Sequence, residues 1–459
     1  MGRRSVGLGM AAGVLLAGAV AVPAHANTPV ACSDTALIQA INDSNGGLND
    51  HILDLTSYCV YTLTDADGQL PTVTAPLVIH GHNATIRRDP NATTNFRIFD
   101  VAGTSLTMDT LTVMNGNTVS GGGVLVNLGG SLITTSVNFQ GNTASADGGA
   151  IFAGANASLT LTGGTISDNQ ASNNGGGIDA FGNVTVTLDS VTVTGNRSTG
   201  TSGGLDIVTN GQAETITNST ISHNTATQTG GGILYNGSGP LTIAGTTIAD
   251  NHVTASTFSG GGILFDPGSG GTGTITNSTI SGNTVTGFTN DGSSNRGAGI
   301  FVREGQLTLD STKARGNQLI GPFGQGAGIA ATAVNSTGTL TLQNGTTVTG
   351  NLASGRYSQG GGLYSENSNN GVTVFVTSSH IDANKVTGTG SATAGIYNNG
   401  GTWAALTNST VNNNTAPIAP APGGIYTTVA ITNTSGSAFT GNTPTNCLLS
   451  PAPVTGCMN

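Results

Sequence analysis

The sequence predicts an all-β chain wound as a single parallel β-helix, a solenoid of about 12 coils with three strands per coil and a short N-terminal capping helix. Three observations predict it. An apolar residue followed three places later by asparagine recurs at Asn117, Asn142, Asn169, Asn196, Asn224, Asn251, Asn283, Asn317, Asn351, Asn384, Asn414 and Asn442, at intervals of 25 to 34 residues. Between these asparagines lie small-residue clusters, from Gly121–Gly123 and Gly148-Gly149 to Gly423-Gly424, each leading into aliphatic residues. The segments between them alternate Thr, Val, Ile and Leu, and none holds a helical period over two turns.

Three short strands cannot bury their apolar faces alone, so successive units must stack strand on strand. Inward positions then form ladders such as Ile166, Val193, Ile221, Ile248 and Ile280. Asparagine suits the corner after each ladder residue, because it tolerates left-handed backbone and its amide can bond along the axis from coil to coil. Asn142, Asn169, Asn196, Asn224, Asn251 and Asn283 are the expected structural corners. Glycine serves the opposite corner. Together they account for 73 glycines and only 7% charged residues in a chain of 459.

Residues 1–26 have Arg3-Arg4, an apolar stretch from Val6 to Val22 and Ala24-His25-Ala26, the pattern of a cleaved secretory signal. The paired arginines leave the general and twin-arginine routes both open. Residues 27–103 read as an N-terminal cap and irregular first rungs. Ser33 caps a helix with Leu37, Ala40 and Ile41 on one face, and Ile52–Leu55, Tyr61–Leu63, Leu77–His80, Thr85–Arg87 and Phe96–Val101 follow as strands. Such a cap is physically required, since open strand edges invite aggregation. Residues 104–442 are the regular repeats, and 443–459 a C-terminal disulfide cap without a hydrophobic tail. The cysteines lie only at the extremities, so Cys32 is expected to pair with Cys59 and Cys447 with Cys457, across ends roughly 55 Å apart. Disulfides agree with export.

Between Asn251 and Asn384 the units are longer, and the extra residues fall before the glycine corner, in Val253–Ser259, Val285–Arg296, Gln318–Gln325 and Leu352–Gln359. Insertions on one corner of consecutive coils build a wall where binding is expected. Loss of the signal leaves ten basic and 22 acidic residues, a net charge of −12. Such a surface disfavours nucleic acid and anionic lipid, and an acidic polysaccharide would need a local basic patch.

The Gly148-Gly149-Ala150-Ile151 motif, with Phe139-Gln140-Gly141-Asn142 and Phe439-Thr440-Gly441-Asn442, resembles the repeats of polymorphic outer-membrane proteins. The start at Cys32-Ser33-Asp34-Thr35-Ala36-Leu37 is similar to that of secreted bacterial β-helix proteins with a CSLREA-type N-terminus, though its LREA core is degraded. The resemblance covers nearly the whole mature chain. It implies a right-handed, pectin-lyase-like β-helix, and the polymorphic proteins' link to adhesion comes with it. It does not imply their membrane barrel, for which no segment is seen.

Enzymes of that fold use carboxylates, calcium and an arginine or lysine base on the outer face of one sheet. The position after the aliphatic residue of each glycine corner, expected to face outward, runs Leu125, Phe152, Asp179, Asp206, Leu234, Leu264, Phe301, Ala330, Tyr364, Tyr397 and Tyr426. Asp179 and Asp206 would stack at about 4.8 Å, close enough for one to hold a proton while the other ionises, as glycoside hydrolysis requires. Two residues further along the strand, Arg303 would stand between Asp266 and Glu366, a lyase base near two calcium ligands. Tyr364, Tyr397 and Tyr426 form an aromatic strip for a sugar ring or a partner side chain. For each set there is a plainer alternative: acids on a wet strand, a surface ion pair, tyrosines favoured in strands. His80 and His82 lack acidic partners at ligand spacing in the sequence. A threonine ladder, Thr160, Thr187, Thr215, Thr242, Thr274, Thr308 and Thr341, lacks the second matched rank that ice binding needs.

The expectation is a secreted or surface-associated monomer with a binding or structural role, adhesin-like or glycan-binding, and no cofactor. Its partners would be an extracellular polysaccharide or a surface protein. The alternative is an extracellular polysaccharide lyase or glycoside hydrolase, with Asp179, Asp206 and Arg303 catalytic and calcium needed only by a lyase.

Overall fold

The structure, a computed structural model, describes residues 27–254, 259–268, 270–287, 294–334, 337–367, 371–417 and 421–458. The signal segment, 1–26, and parts of the two insertions after Val253 and Val285 lie outside them. The chain is a parallel β-solenoid of about 14 turns, two more than the asparagine count suggests, because the rungs before Gly116 carry no ladder asparagine.

One coil shows the plan. Ile151–Gly154 forms the first face, Ser158–Thr162 and Thr165–Ser167 the second, and Gln170–Ala171 the short third. These pair in parallel with Ile178–Gly182, Thr185–Asp189, Thr192–Thr194 and Arg197–Ser198 of the next coil. The second face is bent, and a left-handed residue marks the bend in each coil, Gly164, Ser190 and Asn218 among them. Its two arms are joined in one 24-stranded sheet, because Leu77–Arg88 at the N-terminal end runs through both. Leu77–His80 and Thr85–Arg87, expected as two strands, are this single strand with a register shift between His80 and Ala84.

Inside, Ile166, Val193, Ile221, Ile248 and Ile280 lie in register and are buried, as expected. The asparagine ladder beside them is buried too. Asn169 Oδ1 accepts from both the backbone N–H (2.9 Å) and the side-chain amide (3.0 Å) of Asn142, whose amide also donates to Val113 O at 3.1 Å. The same three bonds repeat to Asn414, and Asn446 of the C-terminal cap receives the last amide at 2.9 Å. Every polar atom of the column is thereby used, which makes a buried amide tolerable.

Two expectations need correction. The left-handed residue is not the ladder asparagine but the one before it, such as Gly141, Asp168, Gly195 and His223, and the asparagine amide that follows this turn points inward. Asn117 is also off the ladder: it pairs with Thr143, and Gly116 is the residue that donates to Asn142 Oδ1.

A hydroxyl column runs parallel to the asparagines. The Val191 N–H donates to Ser219 Oγ, Ser219 N–H to Thr246 Oγ1, Thr246 N–H to Ser278 Oγ, and Ser278 N–H to Thr312 Oγ1. Asn-Ser-Thr triplets such as Asn218-Ser219-Thr220 thus serve the bend.

Both ends are closed. Ser33 Oγ accepts from Ala36 N–H at the start of helix Asp34–Asn45, which buries Leu37, Ala40 and Ile41. Cys32 is joined to Cys59, and Cys447 to Cys457. His80 and His82, without partners in the linear sequence, find them on neighbouring rungs: His80 Nδ1 lies 2.6 Å from Asp109 and His82 Nε2 3.3 Å from Asp54.

Candidate functional site

The outward positions of the first face stack in one continuous ladder: Asp100, Leu125, Phe152, Asp179, Asp206, Leu234, Leu264, Phe301, Ala330, Tyr364, Tyr397 and Tyr426. They point away from the solenoid interior, but most do not meet water. Each glycine corner folds back over the strand that follows; at Gly148, with φ of 62°, an added Cβ would lie 2.3 Å from Ile151 O. Beneath this roof Leu234, Leu264, Phe301, Ala330 and Tyr364 pack into a second apolar layer. The expected water-facing position is therefore corrected to a covered one.

Asp179 and Asp206 pair in register as expected, yet they are only 3% and 2% exposed. Burial pushes the Asp179 carboxyl up to about 8, helped by the charges of Asp206 and Asp147. Burial likewise raises Asp206 to about 6, opposed by the Thr201 hydroxyl, which donates to it at 2.6 Å. Asp147, on the preceding glycine corner, is the third acid of the group. Its pKa is also raised by burial, against bonds from Asn174, and its Oδ1 is buried without a partner. Sequence reasoning missed Asp147 because it stands before a corner rather than on a strand. The trio can hold protons in common, which is acid–base chemistry in kind, but the corner covers it.

Arg303 and Asp266 do meet, at 2.6 Å, whereas Glu366 does not join them. Glu366 lies three coils beyond Asp266, roughly 14 Å along the axis, and bonds to Arg296 at 3.0 Å. Arg303 thus pairs with Asp266 but not with Glu366, and the two supposed calcium ligands are each taken by a different arginine. Asp266 still has a raised pKa, because its burial outweighs the Arg303 bond. Among the described residues no three His, Cys, Asp or Glu side chains are arranged to hold a metal ion.

The tyrosines come together as a column. Tyr364 and Tyr397 stack with centroids 5.7 Å apart and planes 8° off parallel, and Tyr397 and Tyr426 at 4.6 Å and 9°. Tyr364 is buried, and its hydroxyl accepts from Gln325 Nε2 at 3.0 Å. Tyr397 and Tyr426 are half-buried and line a cavity of about 530 Å³ with residues 388–392, Pro417, Ala421, Leu449 and Pro451. This volume lies in the range of small-ligand sites, roughly 300–1,000 Å³. Aromatic rings with phenol hydroxyls at the edge of a partly open cavity offer an apolar wall and a few polar handles, the pattern a sugar ring matches.

The family model described as the right handed beta helix region matches residues 98–265. No curated protein and no solved structure matches the chain significantly. The matched stretch begins at the first rung of the outer ladder and takes in seven rungs of it, from Asp100 to Leu264, and the later coils continue the same sheets in parallel pairing. The chain is therefore a right-handed parallel β-helix repeat protein.

Proposed function

We propose that this protein is an exported glycan-binding β-helix that holds a sugar ring in the cavity beside Tyr397 and Tyr426. The observation that supports it is the tyrosine column: two of its three rings line an accessible cavity, while the acids on the same ladder are roofed over. The two disulfides and the absence of any described helix able to cross a membrane are compatible with an extracellular location. Binding as a monomer suits a stack whose ends are both capped.

A second reading, glycoside hydrolysis at Asp179 and Asp206 with Asp147 nearby, is favoured by one specific observation: three carboxylates with raised pKa values share one site. What it lacks is access. One experiment separates the two. The mature chain is incubated with pectin, alginate and neutral glycans, with and without calcium, while bound sugar, reducing ends and unsaturated products are followed. Binding without product supports the first reading. Turnover that vanishes in Asp179→Asn would replace it with the second.

A further inference from the structure

The inserted corners are ordered by a glycine column. Gly321, Gly355 and Gly388, with φ of 125°, 134° and 114°, lie on consecutive coils. A Cβ on Gly355 would lie 2.0 Å from Gly321 O, and one on Gly388 2.2 Å from Gly355 O, so only glycine lets the loops nest this closely. Backbone bonds tie them together: Gly321 N–H to Ser354 O at 2.9 Å, Phe323 N–H to Arg356 O at 2.8 Å and Gly355 N–H to Thr387 O at 3.1 Å. Below them Val253, Val285, Leu319, Ala353 and Val386 form a small core of their own. In the short coils the same inward column holds smaller residues, Ala144, Ala171, Ser198 and Ala226. The insertions thus form a supported ridge.

Two places past each glycine stand Phe323 and Tyr357, stacked at 5.4 Å and 20°, and then Gly390. With Pro322 and Arg356 they line a second cavity, of about 270 Å³. Arg356 sits over the Tyr357 ring at 5.0 Å and donates from Nη2 to its hydroxyl at 2.9 Å. No carboxylate pairs with it among the described residues, unlike Arg296 and Arg303. The chain has no Asp or Glu from 311 to 365, and residues 296–459 carry six basic against four acidic side chains, where 27–295 carry four against eighteen. Gly390 joins the two cavities, for it lines the tyrosine cavity and packs on Tyr357, where a Cβ would lie 2.6 Å from the ring.

We propose that this ridge is a second subsite, in which Phe323 and Tyr357 support a sugar residue and Arg356 binds its anionic substituent, a carboxylate or a sulfate. The occupant is an anionic oligosaccharide extending from the tyrosine cavity, and the proposal rests on the glycan-binding reading above. A guanidinium bound to an aromatic face is held in place before the ligand arrives, and with no carboxylate paired to it among the described residues it is left to the incoming anion.

Titration calorimetry of the full mature chain with tetragalacturonate, a sulfated tetrasaccharide and neutral cellotetraose, at low and high salt, tests it. Wild type should bind at least one anionic probe about tenfold more tightly than the neutral one, with the preference shrinking as salt rises. Arg356→Gln should bring the probes within about twofold of one another, by weakening the anionic ones. Tyr357→Ala should weaken the anionic probe without a change in melting temperature. Whichever anionic probe is preferred identifies the substituent. An anionic preference that survives Arg356→Gln would overturn the proposal, as would equal binding of all probes by wild type, which leaves the tyrosine cavity standing. No binding of any probe would overturn both.

Discussion

Asn196 gives its side-chain amide to Ile166 O at 2.8 Å and to Asn224 Oδ1 at 2.9 Å, and its own oxygen takes two bonds from Asn169. Asn196→Ala would leave buried donors on Asn169 without partners, and should cost about 3 kcal/mol in urea unfolding, the sum of two or three such losses. The axial bonding was legible in the sequence, because a buried asparagine every coil has few other uses. The placement of the left-handed turn was not, since Gly141, Asp168 and His223 share no chemistry beyond tolerating that conformation poorly or well. Ile221, fully buried between Val193 and Ile248, tests the inward register. Ile221→Asp should lose roughly 3–5 kcal/mol, and a variant as stable as wild type would show that this side chain faces water. The acids give a third prediction. Asp179 and Asp206 hold protons more tightly when folded, near pH about 8 and about 6, than the ordinary value of 3.8. Their contribution to stability is therefore complete below that value and is lost as pH rises through about 6 and then about 8. Glu214, buried inside the solenoid with Oε2 accepting from Val186 N–H, is shifted the same way. Melting temperature measured across this range should fall for wild type and fall less for Asp179→Asn; identical profiles would show that the pair does not share its protons.

At the scale of elements, local signals were readable and roofs were not. Ser33 announces the helix because capping involves only the next three residues, and Leu37, Ala40 and Ile41 announce its buried side. The bend in the second face, by contrast, depends on hydroxyls such as Ser219 that look like any strand threonine or serine until the neighbouring coil supplies the N–H. Asp179 looked exposed for a similar reason: what covers it is a corner, not its own strand. The terminal disulfides each hold a cap against the end rungs. Reduction should raise hydrogen exchange near Val30, Cys59 and Ile431 before it affects the strands around Ile221, because stability in a stack is a sum of neighbour terms. Uniform loss of protection would mean that the caps hold the whole stack rather than its ends.

At the scale of the molecule, one ladder changes character along its length. It begins with Asp100, bonded to Arg97 at 3.3 Å, passes the buried acids, continues through aliphatic and aromatic rungs, and ends in stacked tyrosines. The acidic charge is concentrated at the start and the free aromatic surface at the end, so the two readings of function belong to different ends of the same face. The repeat itself, read from spacing alone, had no means to choose between them, since the roof and the cavity both arise from contacts between coils. The most direct test of the account is the affinity of a neutral oligosaccharide for wild type and for Tyr397→Ala/Tyr426→Ala, measured by calorimetry with melting temperatures compared. Loss of two stacking rings should weaken binding at least about tenfold while the solenoid stays folded. Unchanged affinity in the folded double variant would contradict the tyrosine cavity as the binding site.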